Sequence, residues 1–442
     1  MTMVRPTHAV VLIVMALVAG PRAGAAQDLK TYTLDDVQRL AAGYYQAVGI
    51  SRARADQARQ GERLAFSARL PAIMSQGMLT RNIVTGSLTF NDIKIDILPA
   101  FDYTVTLSAV QPLFTGFRLE RGQRQAELAV DAAMTGVGIT VQDTVLAATR
   151  AYYAVLGAQD NIEISTRAVA VAEQTLRTAE SLYRAGEAVE TSVLRGRVAE
   201  SEARRELLIA ANGLILAKRQ LMLLTGVTGE FQVTRPLPAR RIDTPVDDLV
   251  AQGLAARPEL KALALQRQIA GLEIDRRRGE WLPTIQAEAV YQRRKATFPS
   301  NQLASIAVNA VWPVFDGGRR GAAVASARSA LTEVELQEEL VRRQMTEQIR
   351  AAYLTMQTLS ASVDILRTQV DVARRNADET GKAYRAGEAT DLDVLQANTA
   401  LTQSERLLAL ATYQHELAIC ELQRAVGTFA TDLVPRSAGG HE

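Results

Sequence analysis

The side chains able to do acid–base, metal or nucleophilic chemistry are few and scattered. Histidine occurs at His8, His415 and His441 only, and no His, Cys or carboxylate stands three or four residues from His415, the helical ligand spacing. Cys420 is the one cysteine. It can form no intrachain disulfide, and beside Leu417, Ile419 and Leu422 it reads as a small packed hydrophobe. No HExxH, GxSxG or phosphate-loop string occurs, and Gly317-Gly318 is too short to cradle a nucleotide. An enzyme, a metal centre and a bound cofactor are therefore not expected. Lys and Arg total 50 against 48 Asp and Glu, a balance that gives no reason to expect nucleic acid as a partner. The carboxylates that stand out are Asp391 and Asp393. Both open an expected helix, where the backbone dipole favours an acid.

Residues 1–26 read as an export signal. Arg5 and His8 precede an apolar run from Ala9 to Ala19, followed by Ala23, Ala25 and Ala26. No cysteine lies near the expected cut, so no lipid anchor is expected there. Further on, no run approaches the roughly 18 consecutive apolar residues of a membrane helix.

An internal duplication organises the rest. Tyr183-Arg184-Ala185-Gly186-Glu187-Ala188 returns as Tyr384-Arg385-Ala386-Gly387-Glu388-Ala389, an offset of 201 (384 − 183). Pro112-x-Phe114-x-Gly116-x-Arg118 returns at the same offset as Pro313-x-Phe315-x-Gly317-x-Arg319. Leu70-Pro71 matches Leu282-Pro283 at 212 (282 − 70), so the first copy carries an insertion of about eleven residues, placed near Arg81–Ile97. Two repeats follow, 27–227 and 244–428, with a linker at 228–243 and a flexible tail at 429–442. Each is expected to run short helix, helix, two strands, very long helix, tight turn, helix. Thr33 with Asp36, and Thr244 with Pro245 and Asp247, are the expected helix starts.

Strands are expected near 71–85, 98–113, 283–293 and 302–314. Phe101, Tyr103, Val105, Leu107 and Ala109 alternate with Asp102, Thr104, Thr106 and Ser108. The offset carries that parity onto Ala304, Ile306, Val308 and Ala310. An amphipathic sheet on a soluble core is one reading. The strand length, the export signal and the lack of a helix to cover the face favour lipid instead, met by Phe101, Tyr103, Val105, Leu107, Ile306 and Val308. Four strands cannot close a barrel, and an open edge in lipid leaves backbone groups unsatisfied. A membrane role thus demands several chains.

From Phe117 to Arg184, and again from Gly318 to Arg385, no proline interrupts a helical pattern of roughly 100 Å at about 1.5 Å per residue. Val130, Met134, Val137, Val141, Val145, Ala148, Tyr152 and Val155 follow coiled-coil spacing. The returning helices, 191–225 and 391–426, are half as long, and the helices near 51–69 and 258–280 could stack on their ends. The expected fold is mainly α with a membrane β part, a hollow column rather than a globule.

Tyr384-x-x-Gly387-x-x-Thr390-x-x-Asp393-Val394-Leu395-x-Ala397 resembles the hairpin tip of the TolC family of outer-membrane efflux proteins. Its sister at Tyr183–Leu194, the Arg257-Pro258-Glu259-Leu260 helix start and the strand borders resemble that family too. The resemblance implies a homotrimer in a Gram-negative outer membrane, with twelve strands in a barrel and twelve helices in a periplasmic tunnel. It implies a passive duct serving an efflux pump or type I secretion system. Its partners are a periplasmic adaptor, docked on the tips (Ala185, Gly186, Glu187, Ala386, Gly387, Glu388), and an inner-membrane transporter of RND or ABC type. It further implies a periplasmic aperture at Asp393, Tyr384, Thr191 and Gln396. Asp393 matches one constricting aspartate and Gln396 replaces the other; the link arginine and its aspartate fall on Ala389 and Ser192, leaving one acidic ring and a weaker lock. The alternative is a soluble periplasmic coiled-coil adaptor, which should carry one repeat and a lipoyl-like domain.

Overall fold

A computed structural model describes residues 30–90, 93–98, 100–236, 242, 244–294 and 302–434. The expected signal, with His8, and His441 lie outside these residues. In chain order the elements are β1 Lys30–Tyr32, α1 Leu34–Tyr44, α2 Gln46–Ser67, β2 Ala72–Arg81, β3 Gly86–Phe90, β4 Ile93–Leu98, β5 Phe101–Phe114, α3 Arg118–Ala185 and α4 Glu190–Thr225. There follow β6 Phe231–Val233, α5 Val246–Ala256, α6 Pro258–Arg278, a 3-10 turn Gly279–Trp281, β7 Thr284–Arg294, β8 Gln302–Val311, α7 Arg319–Arg385 and α8 Asp391–Val426.

Local chemistry sets most of these borders. Thr33 and Asp36 form a reciprocal capping box that starts α1. Pro245, rather than the expected Thr244, occupies the N-cap of α5, one residue later than the sequence suggested. A proline fixes φ and lacks the N–H that would otherwise need a partner there. Pro112 sits inside β5 at a register shift against β7, a place where a missing N–H does no harm. Its sister Pro313 lies beyond β8, which stops at Val311, short of the expected 314.

The sheet has the order β2-β5-β7-β8, all antiparallel. The helices lie abreast in two tiers: α2, α3, α6 and α7 next to the sheet, then α4, α3, α8 and α7 beyond. The long helices α3 and α7 span both tiers. The shorter ones meet end to end. A side chain at Gly226, after α4, would strike the Tyr44 ring at the end of α1; one at Gly427, after α8, would crowd Arg257 at the head of α6. The heptad stripe of α3 forms the core between the tiers, with Val141, Val145, Ala148, Tyr152 and Val155 fully buried.

Three segments depart from the sequence reading. The insertion in the first copy is a separate hairpin, β3 against β4, outside the four-stranded sheet. The stretch 228–243 is not simply a linker, because β6 pairs in parallel with β1 and buries Phe231. Tyr152 of α3 donates its hydroxyl to the Thr234 carbonyl and holds that strap down. Finally, the start of the expected tail is packed: Phe429 is buried, and Leu433 and Val434 lie against the core beside Cys420. Residues 435–442 lie outside the described chain.

Candidate functional site

The two long helical hairpins reverse in the same way. In the first, the Gly186 N–H bonds the Tyr183 carbonyl at 3.0 Å and the Glu187 N–H bonds Leu182 at 2.9 Å. In the second, Gly387 bonds Tyr384 at 3.1 Å and Glu388 bonds Ala383 at 2.9 Å. This is a Schellman turn with glycine at φ +77° and +78°, a backbone region that side chains resist. Ala185, Gly186, Glu187, Ala386, Gly387 and Glu388 all lie exposed at the two turns.

Beyond the second turn Thr390 and Asp393 form a capping box. Asp393 Oδ2 accepts from the Thr390 N–H at 2.9 Å and its hydroxyl at 2.7 Å, and Thr390 Oγ1 accepts from the Asp393 N–H at 3.3 Å. The hydroxyl bond above all holds the Asp393 carboxyl below the usual aspartate range. Among the described residues nothing bonds its Oδ1, and the side chain is exposed, as are Thr191 and Gln396. Asp393 thus fills the capping role and keeps its charge in solvent.

Tyr384 does not reach Thr191: its hydroxyl is buried and makes no hydrogen bond. Burial, followed by the charge of Asp391, pushes that phenol above its ordinary value. The polar tie near the tips is Arg195 of α4 with Asp391 of α8, at 3.0 Å. Sequence reasoning gave Asp391 only a dipole role and missed Arg195. A signal was there: Arg195 stands 201 residues before Gln396, so the duplicated frame supplies the cation in one copy alone.

A cavity of about 830 Å³ separates this tie from a longer seam between the hairpins. The seam runs from Arg424–Asp143 and Arg150–Glu421 through Tyr413, which donates to Asp160 at 2.7 Å, to Arg167–Glu405. Arg406 spans the near side of the cavity, donating to Ser165 at 3.0 Å and approaching Glu206 at 3.5 Å.

In the sheet, residues paired across antiparallel strands share a face. One face carries Ile73, Leu79, Phe101, Tyr103, Val105, Leu107, Tyr291, Ile306 and Val308. The other carries Gln76, Asp102, Thr104, Thr106, Glu288, Gln292, Arg294 and Asn309. There Arg294 reaches Asp102 at 2.7 Å, and Asn309 donates to Glu288 at 3.1 Å. Along β5 the apolar side chains Phe101 to Leu107 are the exposed ones and the polar ones are half-buried, the reverse of a sheet on a soluble core. Among the described residues no group of three His, Cys, Asp or Glu side chains could hold a metal. Cys420 is buried, which raises its thiol to about 11.

A lipid-compatible sheet continued by a two-tier helical wall is the architecture of a membrane duct. The model of one family, outer membrane efflux protein, matches residues 46–227 and 249–428. Outer membrane efflux protein BepC of Brucella suis is 25% identical over 357 residues, covering 79% of this chain and 77% of BepC. Alkaline protease secretion protein AprF of Pseudomonas aeruginosa is 26% identical over 361 residues, with 78% and 73% covered. Among solved structures, the Campylobacter jejuni CmeC outer membrane channel superposes with TM-score 0.78 at 15% identity, over 90% of this chain and 86% of that one. VceC of Vibrio cholerae gives 0.75 at 20% identity, over 90% and 96%. The chain belongs to the outer membrane efflux protein family. Its place is the outer membrane, its helices reach into the periplasm, and its relatives are transport channels rather than enzymes or soluble adaptors.

Proposed function

We propose that three copies of this chain close into one passive exit duct across the outer membrane and periplasm, serving an efflux pump or a type I secretion system. The observation that carries this reading is the pair of open edges. Among the described residues β2 and β8 each have one strand neighbour and one open side. The same two sides continue as α2 and α4 on one flank and α7 on the other, with Ile209, Leu216 and Leu223 exposed on α4 and Leu354, Ile365 and Val372 exposed on α7. Backbone groups left open in lipid cost several kcal/mol each, so sister chains must complete the sheet. Three protomers of four strands give a twelve-stranded barrel. The recurrence of one element order, and a family match to both halves, supports descent of the protomer from a duplicated unit.

The exposed turns at Gly186 and Gly387 are the docking points for a periplasmic adaptor, through which an inner-membrane transporter of RND or ABC type supplies the energy. Asp393, Gln396 and Thr191 line the periplasmic aperture, Tyr384 packs behind it, and no cofactor takes part. Arg195–Asp391 stands in for the link that Ala389 and Ser192 cannot form. The test is the mass and conductance of the mature protein extracted from outer membranes. A threefold mass on unheated gels and discrete channels in planar bilayers are expected; a stable monomer in detergent-free buffer overturns the duct.

A further inference from the structure

The outward face of the four-stranded sheet carries two charged side chains, Arg81 and Arg293, both exposed. Each stands nine residues past the first residue of its strand: Ala72 to Arg81 in β2 and Thr284 to Arg293 in β7. At about 3.3 Å per residue that is roughly 30 Å along the strand. With a tilt of about 35–45° it is roughly 21–24 Å across the membrane, close to the ~25 Å of an apolar barrel band. Both arginines therefore emerge where hydrocarbon gives way to headgroups, at the end of the sheet remote from the helices. On that face Phe101 is paired with Arg81 and Tyr103 with Leu79, while Tyr291 stands two residues before Arg293, so each arginine has an aromatic ring near it, as in an aromatic girdle. The Arg81 guanidinium lies over the Phe101 ring, 5.7 Å from its centroid.

Among the described residues neither arginine has an ion-pair partner. The contrast is Arg294, one residue on and facing inward, which is held by Asp102 at 2.7 Å. Two exposed guanidinium groups on a lipid-facing surface, with no carboxylate partner among the described residues, suit anions supplied from outside the chain. We infer that Arg81 and Arg293 bind phosphate groups of the anionic glycolipid forming the outer leaflet, each by a charge-assisted fork of N–H donors. This rests on the reading of the sheet as membrane-spanning. It adds a ligand, a place and a specificity: the barrel is fixed in depth by phosphate as well as by apolar area.

The oligomer purified from outer membranes is titrated with bisphosphorylated lipid A and with the same lipid enzymatically stripped of phosphate, and bound lipid is counted by native mass spectrometry. Inorganic phosphate is the competitor that separates a headgroup site from a bare anion site. The wild-type protein is expected to retain the phosphorylated form about tenfold better, the scale of one charge-assisted contact. Arg81→Ala/Arg293→Ala removes the preference, while Arg81→Lys/Arg293→Lys keeps part of it. Equal retention of both lipids by the wild type, survival of the preference in the alanine pair, or equal displacement by inorganic phosphate overturns the inference. The wild-type comparison decides even if the variants fail to assemble. An embedded oligomer with no preference defeats this inference alone, whereas a soluble monomer defeats the duct as well.

Discussion

At the scale of single residues, the aperture end depends on which acid does which work. Asp393 caps α8 through Oδ2 and presents its charge to solvent, so the two roles separate by substitution. Asp393→Asn keeps a side-chain oxygen at the third helical position to accept from the N-cap Thr390 and removes the charge. It should change stability by no more than the ~0.5 kcal/mol typical of surface changes yet abolish block by multivalent cations in single-channel recordings. Retained block would place the cation elsewhere. Asp391 has the other role. Its pair with Arg195 is about half exposed on the arginine side, so it is worth about 0.2–1 kcal/mol, small for stability but enough to bias a hairpin that has two positions. Arg195→Asp should raise the fraction of open channel time, and adding Asp391→Arg should bring it back. Failure of the charge swap to restore closure would leave the tie a surface contact without function. None of this pairing was visible from the motif, since the motif names positions along one hairpin and the tie joins two hairpins remote in sequence.

Elements were legible where one physical signal dominated over many residues. Proline-free apolar spacing marked α3 and α7 to within a residue or two, and strand parity placed Phe101, Tyr103, Val105 and Leu107 on one face together with Ile306 and Val308. The mixed strand Ile73–Leu79 became readable only through its pairing with β5. Elements of three to six residues escaped, since β1 and β6 are too short to show a period and are defined by each other. The junction of α6 and α8 escaped because its side chains come from helices remote in sequence. There Arg257 and Arg424, both nearly buried, converge on Glu259, with Arg424 at 2.8 Å and Arg257 at 3.1 Å. Burial pushes the Glu259 carboxyl up, but the Arg257 hydrogen bonds and the Arg424 charge outweigh it, and the net shift is downward from 4.5. A carboxyl lowered on folding contributes stability above its unfolded value, and that contribution fades as pH falls below about 4.5 through the folded value. Glu259→Gln leaves the nearly buried Arg257 without a carboxylate, while Arg424 keeps Asp143 at 2.8 Å, and should cost about 3 kcal/mol at neutral pH, with less effect near pH 3. Chemical denaturation of the oligomer at the two pH values measures the difference. A variant equally stable at pH 7 would show the network to be dispensable.

For the whole molecule, the protomer is a slab whose sheet and helices share one lateral order, so the same two flanks are open from end to end. This explains why α4 alone among the described helices is apolar and long enough to cross a bilayer by composition. Its apolar residues divide between two contacts. Leu221 and Leu224 face α3, while Ile209, Leu216 and Leu223 repeat at heptad spacing and stand bare in the single chain. Asn212, Lys218, Arg219 and Gln220 interrupt the run and suit a helix in water better than one in lipid. A second α-helical surface covers such a stripe at about 1.5–3 kcal/mol for each buried leucine, and the exposed Leu354, Ile365 and Val372 of α7 on the opposite flank provide one. Leu216→Glu would place a carboxylate in three seams at once while leaving the protomer's own core untouched. The expected result is loss of the threefold species on unheated gels with helix content by circular dichroism unchanged, whereas Leu216→Met should assemble normally. If the glutamate variant still assembles, α4 faces solvent in the duct, and the flanks must close through the sheet and α2 alone.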